Sequence, residues 1–274
     1  MTRGFVIGGV GGSGTRAVCA LLHSISPFHQ LRDRNKANDT LGATLLFKRP
    51  SILDPHTDMG FDECWSMLRG RMEGTLHLRR SDLVKILSLA TEKRLHHSRR
   101  WMLMRAARFC FHESSPASAD SRWLVKEPNL QIFAESILAG DPDVRMAIVM
   151  RNGLDMAFSR NRQQAATWGE IDGDVRPSDM LRHWCLSHER LLEVRDAYPD
   201  RLIFIQLERA CDHPDELIEP LGRFLETDDE DSIAAAIREH IRENPSRNRH
   251  LDEDMSVLGA DLIERAHAIV SKIT

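Results

Sequence analysis

The stretch FVIGGVGGSGTRAV, Phe5 to Val18, restricts this chain more than any other. An apolar run enters a segment where Gly8, Gly9, Gly11, Gly12 and Gly14 crowd together, and Thr15 and Arg16 then open a stretch that suits a helix. Strand, glycine turn and helix form the geometry in which backbone N–H groups and a helix N-terminus face an anion. So dense a glycine run loses conformational entropy that an ordinary turn need not lose, which argues for a ligand. Two nucleotide readings compete. Gly9 to Gly14 spells G-x-G-x-x-G, the turn that seats a dinucleotide pyrophosphate. The same glycines also frame a phosphate-cradling loop, with Thr15 where ATP and GTP hydrolases need lysine and Arg16 where they need a magnesium-binding hydroxyl. A loop without either group still binds phosphate through its amides, but is poorly equipped to hold Mg²⁺.

A dinucleotide site asks for an acidic residue about 20 positions past the last glycine, at the end of a second strand. Asp33 answers the count, yet SPFHQLR before it holds Pro27, His29, Gln30 and Arg32 where an apolar strand belongs. The predicted strands lie instead at 5–9, 123–127, 145–151 and 201–208, largely apolar throughout, as in a parallel sheet covered on both faces. Helical patterns follow the last three: NLQIFAESILAG after Pro128, LDMAFSRNRQQAATW after Gly153 and DELIEPLGRFLE after Pro214. Alternating strands and helices imply helices on both faces of the sheet.

Between the first two strands the rhythm breaks. Residues 27–60 are rich in Pro, Asp and Asn, with a short strand expected at ATLLFK, 43–48; residues 81–112 read as one or two amphipathic helices, and SSPASADS, 114–121, as a loop. We expect one domain over 1–274 with a helical insert at about 60–120, serving as lid, acceptor surface or plain helical wall. Two more helical patterns, at 229–243 and 255–273, close the chain.

Across 274 residues, 37 basic and 41 acidic side chains leave a net charge of −4, so no global field attracts nucleic acid or an anionic membrane. Any anion site is local. The five cysteines are scattered without a C-x-x-C pair and the thirteen histidines show no ligand spacing, so neither a disulfide framework nor a metal is expected. The N-terminal apolar run is too short for a membrane span or a signal segment, which predicts a cytoplasmic protein opening on a strand.

A second motif decides between the nucleotide readings. VMRNGLDMAFSRNRQQ, 149–164, sets Arg151 at the exit of a central strand and Ser159 two turns into the expected helix. A guanidinium fork and a hydroxyl together suit a phosphate, and a phosphate site separate from the loop suits a nucleotide phosphorylated at both ends of its ribose.

On GVGGSGTRA and RNGLDMAFS together, the chain resembles the sulfotransferases that use 3′-phosphoadenylyl sulfate (PAPS). WLVKEPN looks like that family's K-[D or E]-P strand end, and residues 183–226 look like its long helix, next strand and acidic turn. The resemblance implies an α/β fold of the three-layer P-loop NTPase-like kind, with a central parallel sheet, a helical insert and a helical C-terminus. It implies that Gly11, Gly12, Ser13, Gly14, Thr15 and Arg16 hold the 5′-phosphosulfate and that Arg151 and Ser159 hold the 3′-phosphate, although Ser13 or Thr15 also fits a plain helix cap. The implied reaction moves the sulfuryl group of PAPS to a hydroxyl or amine of a small-molecule or glycan acceptor and releases 3′,5′-adenosine bisphosphate (PAP), without a metal.

The family usually carries lysine or arginine just before S-G-T, where this chain has Gly12. Lys126, at a predicted strand end, leads as the replacement for that charge, ahead of Lys48 and Arg49. For the base that takes the acceptor proton, Asp33 leads over Asp39, Asp54 and His56. Arg247 and Arg249 in NPSRNRH stand where a basic C-terminal loop closes over the nucleotide in relatives. Two alternatives stay open: a nucleotide-binding protein of the same fold without transferase activity, and a Rossmann NAD(P)-dependent oxidoreductase.

Overall fold

Strands β1 (Gly4–Gly9), β2 (Trp123–Lys126), β3 (Val144–Met150) and β4 (Leu202–Gln206) pair in parallel in the order β2-β1-β3-β4. The computed structural model describes residues 3–94, 96–111, 121–169, 171, 173–242 and 247–273. Ile7 stands opposite Lys126, and Gly9 opposite Val149, so the loop after β1 emerges beside the ends of both neighbours. The strands are apolar almost throughout because both faces of the sheet are covered.

The described helices are α1 (Thr15–Ile25), α2 (Leu41–Phe47), α3 (Phe61–Glu73), α4 (Arg80–Ser88), α5 (Arg99–Phe111), α6 (Ala134–Gly140), α7 (Gly153–Ala157), α8 (Gln163–Trp168), α9 (Pro177–Ala197), α10 (Leu207–Asp212), α11 (Ile218–Leu225), α12 (Glu230–His240) and α13 (Ala260–Ile273). Alternation along β1 divides them into layers. Phe5 and Ile7 join Leu124, Val149 and Ile205 in a core with α1, α11 and α12. Val6 joins Val125, Met146 and Ile148 in a core with α2, α3, α5, α6 and α9 on the opposite face. These are the three layers of the expected α/β fold, with the insert packed directly on the sheet.

Three local expectations need correction. ATLLFK forms most of α2 rather than a strand; all seven residues of that helix are buried, and a run with no polar face gives no period by which to tell helix from strand. The single helix expected after Gly153 divides into α7 and α8. Ser159 therefore sits in the turn between them, where its Oγ accepts the Asn161 N–H at 3.2 Å, a local bond that competes with helix continuation. The last strand stops at Gln206, and Leu207 and Glu208 open α10. SSPASADS lies, apart from Ser121, outside the described residues.

Candidate functional site

The chain leaves β1 toward β2 on one side and leaves β3 toward β4 on the other. The loops after β1 and β3 therefore part and open a crevice at the carboxyl edge, the place where open α/β sheets hold ligands. The G-x-G-x-x-G segment follows β1 and Arg151 follows β3, so the fold brings both sequence motifs to one crevice. The Rossmann alternative loses its structural basis. No strand leads to Asp33, whose Oδ1 instead accepts from Arg105 and, at 2.9 Å, from Arg108.

Within the loop, Ser13 N–H donates to the Val10 carbonyl at 2.9 Å, closing a tight turn. Gly14 has φ +93° and caps α1, a conformation that calls for glycine, and a Cβ built there would fall 2.1 Å from Leu207 Cδ1 at the start of α10, so that side chain would have to move as well. Gly12 has φ +98°, a conformation that side chains rarely adopt, with Ser159 Oγ 3.6 Å from where its Cβ would lie. No side chain caps the N-terminus of α1 and no acidic residue occupies its first turn. Ser13 is 2% exposed, and its buried Oγ has no hydrogen-bond partner among the described residues. Uncapped helix amides and an orphaned hydroxyl together fit a bound phosphate or sulfate. Thr15 is buried beside them and Arg16 is exposed.

The turn between α7 and α8 closes over the loop. Gly11 N–H donates to Gln164 Oε1 at 3.0 Å. The Gln164 amide lies 3.4 Å from Asn129 Oδ1, and Asn129 in turn donates to Glu127, so a chain of side-chain amides links the loop to the end of β2. Arg151 is 5% exposed, with Nε 3.5 Å from Glu208 Oε1. It lines a cavity of about 360 Å³ with Gly14, Arg16, Arg242 and Arg247. Ser159 thus lies over Gly12, whereas Arg151 shares its cavity with Gly14. The chain around 248–250 docks on α7, where buried Asp155 accepts Asn248 N–H at 2.9 Å and His250 N–H at 3.1 Å, and Arg249 donates to the Phe158 carbonyl.

On the other side of the loop a cavity of about 570 Å³ opens, lined by Gly11, Lys48, Trp101, Arg105, Arg108 and Glu127 among others. Lys126 is buried, its ammonium donating to the Ala37 carbonyl at 2.9 Å and paired with Asp39. Lys48 donates to Gln163 Oε1 at 3.0 Å, a neutral partner, and burial pulls its pKa down in spite of the nearby Glu127 and Asp39 charges, with a smaller downward push from Arg94. Asp33 stands behind Arg105 and Arg108. Glu127, which the sequence reading passed over, is 2% exposed and accepts from Thr44 Oγ1 and from the backbone and side chain of Asn129. Burial, then the nearby Asp39 charge, pushes its carboxyl upward in spite of those bonds. Its only sequence signal was its place between Lys126 and Pro128 at a strand end.

Among the described residues, no three His, Cys, Asp or Glu side chains converge as a metal site requires, and no helix is long and apolar enough to cross a membrane. The sulfotransferase family profile matches residues 4–231. No curated protein matches the sequence. Solved structures with similarity include sulfotransferase STF9 from Mycobacterium avium, 14% identical with a TM-score of 0.47, the match covering 97% of this chain and 76% of that one. Sulfotransferase STF1 from Mycobacterium tuberculosis H37Rv is 16% identical with a TM-score of 0.44, over 100% of this chain and 77% of that one.

Proposed function

Because the chain belongs to the sulfotransferase family, we propose that it binds PAPS in the crevice between β1 and β3 and transfers the sulfuryl group to a hydroxyl or amine, releasing PAP. The observation that carries this reading is the uncapped start of α1, with the orphaned Ser13 Oγ behind it and Ser159 over Gly12. PAPS supplies the sulfuryl group and leaves as PAP when the sulfur–phosphate oxygen bond breaks. Amides of Gly12, Gly14 and Thr15, with the side chains of Ser13, Thr15 and Arg16, hold the phosphosulfate; Arg151 and Ser159 hold the 3′-phosphate, and Arg247 flanks Arg151.

Gly12 leaves the loop without a basic side chain, so the charge on the sulfuryl oxygens is met from across the crevice. Lys48 suits that role better than Lys126, because Lys48 lines the cavity with Gly11 and has a neutral partner, whereas Lys126 is committed to Asp39. Glu127 suits the base better than Asp33, because it lines the cavity while Asp33 is engaged by two arginines. The acceptor proton passes to Glu127 as the acceptor oxygen bonds to sulfur, and positioning with charge stabilisation lowers the barrier.

A thermal-shift panel of PAP, NAD, NADP and ATP tests the donor, since a ligand at 100 times its dissociation constant adds roughly 2.7 kcal/mol of stability. Stabilisation by PAP alone is expected, and a shift with NAD in its place overturns the reading. Gly12 favours a second reading, a PAP-binding protein that has lost transfer. Binding of PAP without consumption of labelled PAPS across an acceptor panel would select it.

A further inference from the structure

Beyond the 570 Å³ cavity lies a second, of about 390 Å³, and the two share Lys48 and His97. Among the described residues, its walls carry Lys48, Arg49, Lys93 and Arg94 against a single carboxylate, Glu92, in a protein whose net charge is −4. Arg49 is a structural cation. It is fully buried and bonds to the Leu46 and Met59 carbonyls, Ser51 and Glu92.

Arg94 is different. Its side chain is 5% exposed, yet among the described residues its guanidinium meets only the Thr44 carbonyl and Glu92, both at 3.5 Å, and its buried Nε has no hydrogen-bond partner. A buried guanidinium so poorly met is costly unless an anion completes it. Desolvation acts on it accordingly, lowering its pKa to about 10. His97 beside it is pulled to about 4 by burial and by Lys48 and Arg94, so it stands neutral in a positive field.

We propose that the acceptor is itself an anion, whose carboxylate, phosphate or sulfate group is held by Arg94 and Lys93 while its hydroxyl reaches Glu127 and Lys48 beside the loop. The inference rests on the transferase reading and gives it a substrate class. A guanidinium fork and an ammonium form a donor pair for an oxyanion. The donor nucleotide does not account for it. Gly11 belongs to the first cavity alone, and no residue of the glycine loop lines the second.

Calorimetric titration of inorganic sulfate, into protein saturated with PAP and into protein without PAP, tests the site. With PAP bound, one saturable sulfate site is expected, weakened at least tenfold by Lys93→Ala and by Arg94→Lys while PAP affinity is unchanged; without PAP the same site persists, and sulfate taken up by the glycine loop is insensitive to Lys93→Ala. Lys93 is exposed, so its removal leaves folding intact. Sulfate that binds all proteins alike is an adventitious ion only and overturns the proposal, as does displacement of the Lys93-dependent sulfate by PAP, which would assign the cavity to the donor. Failure of PAP to bind overturns the donor reading, while a sulfate site that persists without PAP and depends on Lys93 still supports the anion cavity. With turnover in hand, Lys93→Ala raises KM at least tenfold for a hydroxy acid but not for the matching alcohol; an equal effect on both overturns the proposal.

Discussion

The two walls of the crevice are built on different principles. On the β1–β3 side, ligand groups are backbone amides, short hydroxyl side chains and Arg151, fixed by a tight turn, a helix start and a strand end that belong to two segments, each local in sequence. On the insert side, Lys48, Trp101, Arg105, Arg108 and Glu127 come from separate segments and meet only because α2 and α5 pack on the sheet. The first wall is suited to grip a nucleotide without a charged side chain in its loop. The second concentrates the titratable groups and is where we assign the chemistry.

If that division holds, removing groups from the insert wall lowers turnover without loosening PAP, and removing groups from the loop wall does the reverse. Glu127→Gln carries the largest expected effect, a fall in kcat on the order of 10²- to 10⁴-fold, as for loss of a general base. In the unsubstituted protein kcat rises with pH as Glu127 loses its proton, on a limb displaced above the usual carboxylate range. An unchanged limb in the variant would return the role to Asp33. Lys48→Ala is expected to cost about 10²- to 10³-fold in kcat, as for removal of one oxyanion donor, with the PAP dissociation constant within about twofold. The same loss from Lys126→Ala and none from Lys48→Ala would reverse our assignment.

On the loop wall, Arg151→Ala is expected to weaken PAP on the order of 100-fold, through a lost charge-assisted fork; unchanged binding in calorimetry would break the comparison at its base. The smallest effect on this contrast concerns the scaffold. Burial lowers the pKa of His183 and His188 in α9 from 6.5 to about 4, so between those values the unfolded chain takes up protons that the folded chain does not. Stability from these groups is complete above pH 6.5 and declines as pH falls toward 4, by about 3 kcal/mol for fully buried His188. A melting temperature that holds level across that window would contradict it.

The same contrast governs what the sequence disclosed. All four strands were legible to within a few residues, because a buried parallel strand is a short apolar run bounded by polar punctuation. The glycine loop and Arg151 were legible because their geometry is local. ATLLFK was not, since a segment buried on every side carries no periodicity. Ser159 was found by spacing but misplaced on a helix, because the turn that holds it depends on its own side-chain bond to Asn161. Glu127, Arg94 and the pairing of Asp33 with α5 depend on packing between distant segments, which no window of sequence contains.

Gly12 has a consequence for how separable the site is. With φ at +98°, its backbone resists any residue that would put a lysine back in the loop, and straining it there costs on the order of 1–2 kcal/mol. Strand, loop and helix are therefore not a transferable cassette for catalysis. Grafted onto another sheet they would, on our assignment, carry the grip on an anion and leave the reacting charge behind on the opposite wall.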